Sequence, residues 1–187
     1  MDRHLPDRWR RTADGGETLI SAPDRALRTL IVLVVCAIAF VYHTCRSLPQ
    51  MVASHFDGAG VATGFVQRAV YERVAIGMLL LPPILLGIVP RLSLRNPTAR
   101  INVPHARYWL APERRADTIA LIEQECAKFA GMLLFFLCYA HWLVVHANQS
   151  VPPSLQSGWL VAGLAVSLGV TVRWVIFLLG RFRLDEE

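Results

Sequence analysis

The chain has 187 residues, 54% of them hydrophobic and 18% charged, with a mean hydropathy of +0.41. A water-soluble domain of this length could not bury so much apolar surface, so the composition excludes an ordinary globular domain and points to the bilayer. The formal net charge of +5 comes with no nucleic-acid motif, so it reads as membrane topology and attraction to anionic headgroups, and nucleic acid is not an expected partner.

Residues 1–28 form a polar N-terminal tail carrying Arg3, Arg8, Arg10, Arg11, Arg25 and Arg28, with Asp14-Gly15-Gly16 as a turn signal. The first apolar stretch, Thr29 to Cys45, is long enough to cross a membrane as a helix. Ala37 and Ala39 offer a small-x-small cleavage pattern, but the apolar run continues through Phe40, Val41 and Tyr42, which favours an uncleaved anchor over a signal peptide. Residues 46–70 then form a loop between the first two spans. Within it Pro49 restricts the backbone, and Gly58, Gly60 and Gly64 are expected to supply positive-φ turns of a small folded cap. His55 and Phe56 would be displayed together, as a surface for a peptide or lipid or as a sensor of external pH.

The second span, Val74 to Pro90, is interrupted by Pro82-Pro83. Two adjacent rings remove backbone donors, so a kink is expected there. It serves either packing or, as in the broken helices of transporters, a substrate site. Residues 93–128 form a basic segment with an interfacial helix starting at Pro112-Glu113-Arg114-Arg115, where proline at the first position and an acidic first turn mark a helix N-terminus. This helix is expected to run into the third span, Phe129 to Asn148. The fourth, Trp159 to Gly180, contains Arg173, about 12 Å by helical rise from Arg181 and within snorkelling reach of headgroups. The domains are thus 1–28, the tail; 29–92, two helices and their loop; 93–128, the basic segment; 129–182, two helices; and 183–187, the C-terminus.

The basic residues sit in the tail and in the segment between spans two and three, whereas the connection from Gln149 to Gly158 carries no charge. The positive-inside bias therefore predicts both termini in the cytoplasm. The fold expected is an all-α integral membrane protein with four transmembrane helices. Cys36, Cys45, Cys126 and Cys138 have no zinc-like spacing and read as small hydrophobes. His43, His55, His141 and His146 cluster near the outer end. They suggest either a metal or haem centre or histidines hydrogen-bonding across helices, and the five-residue separation of His141 and His146 favours the second. No metal site and no cofactor are expected, and no catalytic set can be read.

The residues Leu48-Pro49, His55-Phe56, Gly60, Gly64-Phe65 and Arg68 resemble the pattern of the bacterial membrane family called domain of unknown function 1648, the module found at the start of Sdp-type immunity proteins. The likeness covers about 21 of 187 residues directly, and Ala53 stands where that family usually has proline. The stretch from Asn102 to Arg115 also resembles a motif of shorter members. The resemblance implies a short four-span relative of these immunity proteins in a bacterial inner membrane. It implies recognition of a peptide outside and contact with a protein inside.

On this reading the ligand-binding residues are His55, Phe56, Asp57, Gly60, Gly64 and Arg68, the structural kink is Pro82 with Pro83, and the docking residues for a cytoplasmic partner are Tyr108, Trp109, Glu113, Arg114 and Arg115. The function expected is non-enzymatic recognition of an extracytoplasmic ligand. A small transporter or channel component is the first alternative, and a metal- or haem-binding membrane protein the second. Partners expected are the lipid bilayer, an outer peptide, a cytoplasmic protein and a second copy of the chain; Gly163 and Gly169 with Ala162 and Ala165 offer small-residue contacts that suit self-association and packing within the chain equally.

Overall fold

A computed structural model of the chain describes residues 22–94, 96 and 100–183. The tail arginines from Arg3 to Arg11, the Asp14-Gly15-Gly16 turn and Arg95 lie outside the described residues. Helix α1 spans Ala22–Cys45. Two strands follow, β1 at Met51–Phe56 and β2 at Ala62–Gln67. Then α2 runs over Arg68–Pro82, a π-helical segment over Pro83–Ile88 and α3 over Val89–Leu94. A single turn, α4, occupies Ala106–Trp109, before the long α5 at Pro112–Ala147 and α6 at Ser157–Arg181.

Four helical stretches are long and apolar enough to cross a membrane: Asp24–Cys45, Arg68–Leu94, Pro112–Ala147 and Ser157–Arg181. They match the four apolar runs of the sequence, most of them with longer ends. Pro112 and Glu113 open α5, and α5 continues without a break through the basic segment into the apolar run, as its lack of glycine before Gly131 dictates. An all-α description needs one correction: the 46–70 loop is a two-stranded antiparallel hairpin, not coil.

The helices alternate in direction, so the hairpin caps one end of the bundle and the arginine-rich connections gather at the other, here called the basic end. Helix α5 is central, packing on α1, α2, the π segment and α6, whereas α6 packs on α5 alone among the described helices and buries no residue. The main core joins Ala37, Val41, Cys45, Leu79, Leu134 and Val145 to the hairpin's Val52. A smaller cluster of Leu30, Ala127 and Ala130 lies toward the basic end. The outer surfaces stay apolar, with Leu92 at 72% and Val166 at 66% exposure. In water such surfaces would drive association; against lipid they cost nothing, and close packing and interhelical hydrogen bonds hold the bundle instead.

The two prolines produce a π segment rather than a break. Pro82 and Pro83 are buried, and the N–H of Val89 reaches back five residues to the carbonyl of Ile84, so the wider turn absorbs the missing donors. On α6, Gly163 accommodates the Tyr139 ring of α5, where an added Cβ would come within 2.0 Å, while Gly169 faces open space. The small-residue stripe is therefore used within the chain at its first member.

Candidate functional site: the hairpin cap

The hairpin pairs Met51 with Gln67, Val52 with Val66, Ala53 with Phe65, His55 with Gly64 and Phe56 with Ala62. The register shifts on both sides of His55, leaving Ser54 and Thr63 as extra residues. Such bulges re-aim side chains and bend a ribbon. The connecting turn is built by Asp57, whose Oδ1 accepts the N–H groups of Ala59 and Val61, each at 2.9 Å, while its carbonyl accepts the N–H of Gly60 at 2.9 Å. This is an aspartate folding its own turn. Gly60 takes φ of 84°, the left-handed region that glycine enters without strain.

Only Gly60 uses that freedom, so the expectation for Gly58 and Gly64 is corrected: among the described glycines it alone has positive φ. Gly64 instead gives room, since a Cβ there would meet His55 Cβ at 3.1 Å, and Gly58 has open space.

Three attachments hold the hairpin to the bundle. At its base the Arg68 N–H donates to the Gln50 carbonyl at 2.9 Å and the guanidinium to the Leu48 carbonyl at 3.1 Å. At its middle Asn148, just past the end of α5, accepts the Ala53 N–H on Oδ1 at 2.9 Å and donates Nδ2 to the Ala53 carbonyl at 3.0 Å, a side-chain amide acting as a neighbouring strand would. Proline at position 53 could not make the first bond. At its tip the 149–156 connection straps over the turn. The Leu155 N–H donates to the Gly60 carbonyl at 2.8 Å, Ser154 bridges to Val61, and Ser157 Oγ donates to the Gly58 carbonyl at 3.2 Å.

Directly beneath, His141 of α5 joins three helices and is 5% exposed. Its Nε2 lies 2.7 Å from Thr44 Oγ1 of α1 and its Nδ1 2.9 Å from the Tyr71 hydroxyl of α2. Thr44 has one hydroxyl proton, and that proton has the Phe40 carbonyl at 2.8 Å. Toward His141 the threonine therefore accepts, which places the ring proton on Nε2 and makes Nδ1 the acceptor for Tyr71, so every hydrogen finds a partner. The Tyr71 ring also stacks on the imidazole, and Phe40 meets it edge-on.

What the platform leaves exposed is His55, with Ser54 Oγ 2.9 Å from its Nδ1, and, at other positions of the hairpin, Met51, Val61 and Phe65. Of the six residues expected to bind a ligand, His55 is exposed and Phe56 half-buried, while Asp57, Gly60, Gly64 and Arg68 build and anchor the hairpin. The five residues singled out at the basic end lie together. Trp109 Nε1 donates to the Phe182 carbonyl at 3.1 Å, its own carbonyl accepts Thr118 Oγ1 at 2.7 Å, and Arg114 covers the Tyr108 ring at 4.1 Å. Arg115 reaches the Asn96 carbonyl and Glu113 is exposed.

Sequence reasoning did not single out Asn148 or Glu125. Asn148 ends an apolar helix just before a turn, where asparagine is common, and nothing local discloses its partner 95 residues away. Glu125 is 2% exposed, accepting Lys128 Nζ at 2.8 Å and Trp174 Nε1 at 2.9 Å, with Arg181 at 3.6 Å. Its signal was an acidic residue three places before a lysine at the edge of an apolar run. Among the described residues no group of three or more His, Cys, Asp or Glu side chains is placed to hold a metal ion. The chain matches no protein-family model, no curated protein and no solved structure.

Proposed function

We propose that this chain is a non-enzymatic, multi-pass protein of a bacterial inner membrane that recognises an extracytoplasmic peptide ligand through the hairpin. The single observation that carries the reading is the division of labour in the cap. The turn-forming and anchoring residues fix the ribbon to the bundle, and the side chains it leaves exposed include His55 and the apolar Met51, Val61 and Phe65. A surface that mixes an imidazole with half-exposed apolar side chains suits a peptide carrying both apolar and polar groups. The orientation, with the hairpin outside, rests on the arginine-rich connections at the opposite end. Membership of the domain of unknown function 1648 family is part of the same proposal and rests on the loop residues quoted above. Signalling onward to a cytoplasmic protein would run through residues 93–128.

The test is purification from native membranes in mild detergent, comparing the unaltered chain with His55→Ala and Phe65→Ala by quantitative mass spectrometry of what co-purifies. A peptide retained by the unaltered chain and reduced at least about fivefold by either substitution is the expected result. An identical set from all three proteins, with unchanged membrane insertion, removes the hairpin from any recognition role.

A further inference from the structure

A second feature, independent of the hairpin, lies at the basic end. Helices α1 and α5 line a groove of about 410 Å³ there. Its floor is apolar and buried, with Leu30 and Ala127, and its walls run from Arg25 and Lys128 at one end to Leu33, Met132 and Phe135 at the other. The two cations sit where the apolar runs begin: Arg25 is one turn before Thr29, and Lys128 immediately precedes Phe129. They therefore mark the level where hydrocarbon gives way to headgroups. From Arg25 to Leu33 the groove extends about 12 Å by helical rise, close to the roughly 15 Å half-thickness of a bilayer's hydrocarbon core. Phe135, at its far end, is 64% exposed to the surrounding lipid.

The Glu125 carboxylate is shared by Lys128, Arg181 and the Trp174 N–H of α6, and Asp24 pairs with Arg91. Among the described residues no carboxylate pairs with Arg25, which is exposed. Gln124 adds an amide donor beside the two cations. We propose that this groove binds a membrane phospholipid with an anionic headgroup. The phosphate meets Arg25, Lys128 and Gln124, and an acyl chain lies along Leu33, Met132 and Phe135. The occupant follows from the order of the lining. Cations at headgroup level above an apolar trough of half-bilayer length complement a phospholipid, and a soluble anion would leave the trough unused. Gly131 keeps the trough open, since a Cβ there would reach Leu33 Cδ1 at 3.7 Å and a longer side chain would fill the space.

The test uses the full-length protein in neutral detergent, titrated with dioleoyl phosphatidylglycerol or dioleoyl phosphatidylcholine and read by native mass spectrometry and thermal unfolding. One phosphatidylglycerol per chain is expected, bound at least about tenfold more tightly than phosphatidylcholine, since each surface cation near an anionic lipid contributes about fivefold. Arg25→Gln should remove about fivefold of that preference, Arg25→Lys should retain it, and Gly131→Leu should weaken both lipids. Arg25→Gln breaks no contact of the described fold, so its result stands without concern for folding. Equal binding of the two lipids, a preference untouched by Arg25→Gln, or tight binding surviving Gly131→Leu each overturns the proposal. Full displacement by millimolar inorganic phosphate would reduce the groove to a simple anion site and overturns it as well.

Discussion

The two ends of the bundle are fastened by different physics. At the hairpin end the fastenings between segments are mostly uncharged and directional: the Asn148 amide on both backbone groups of Ala53, the Thr44–His141–Tyr71 chain across three helices, and the Leu155 strap over Gly60. At the basic end the fastenings are ion pairs with aromatic support. Asp24 meets Arg91, Glu125 gathers Lys128 and Arg181, and the Phe129 and Trp174 rings stack at 4.9 Å. An arginine-rich end already holds the cations, and a few carboxylates turn them into cross-links. An end with few charges must specify its geometry through hydrogen bonds, which demand exact partners and tolerate few substitutions.

The sharpest way to break this comparison is Glu125→Ala. Removing the carboxylate takes away the acceptor shared by Lys128, Arg181 and the Trp174 N–H, and because the cations left behind are partly exposed the loss is about 2–3 kcal/mol. Glu125→Gln retains an acceptor for the Trp174 N–H and should recover only part. Unfolding in mixed detergent micelles checks this, and α6 should be the first helix to detach because it packs on α5 alone. If the alanine variant unfolds with the stability of the unaltered chain, the basic end is not held by charge.

The corresponding test at the hairpin end is Gly60→Val. An added Cβ would stand 1.9 Å from the Leu155 carbonyl oxygen, at a φ of 84° that a β-branched residue resists. The expected loss is about 2 kcal/mol, and it should be local. Amide exchange in the hairpin and in the 149–156 connection should accelerate, while α5 and α6 near Glu125 stay protected. Uniform acceleration throughout the chain would mean that the cap and the bundle are one cooperative unit.

These two residues also show what sequence could and could not disclose. The four spans are legible because a run of about 20 apolar residues admits one solution in lipid, an internally hydrogen-bonded helix. The π segment follows from Pro82-Pro83, although its wider turn rather than a break is a result of packing against α5. The hairpin was hidden because its strands are six residues each with bulges on both sides of His55, which erase the alternation that identifies a strand. The local sign, Asp57 with glycines at 58 and 60, marks a turn but does not by itself separate a hairpin from an irregular loop. Gly60 was read correctly for its φ, but the strap that makes it irreplaceable comes from Leu155, 95 places along the chain. Glu125 could not be separated from a solvated acidic residue of an interfacial helix without knowing where Trp174 and Arg181 lie.

The smallest expected effect is the response to salt, and it separates the two ends without altering a residue. At 0.5 M ionic strength the Debye length falls to about 4 Å, which weakens pairs open to water far more than buried ones. Asp24–Arg91 has side chains 40% and 21% exposed, whereas the Glu125 carboxylate is 3% exposed. The first should therefore loosen by a few tenths of a kcal/mol and the second hardly at all. The uncharged clamp of Asn148 on Ala53 should not respond. Amide exchange followed from 0.05 to 0.5 M salt is then expected to quicken at the start of α1 and in α3, change hardly at all in α5 around Glu125, and leave the hairpin unchanged. An equal response at the hairpin would show that its fastening depends on Arg68 more than on the amide clamp, since Arg68 alone among the three attachments carries a charge that salt can screen.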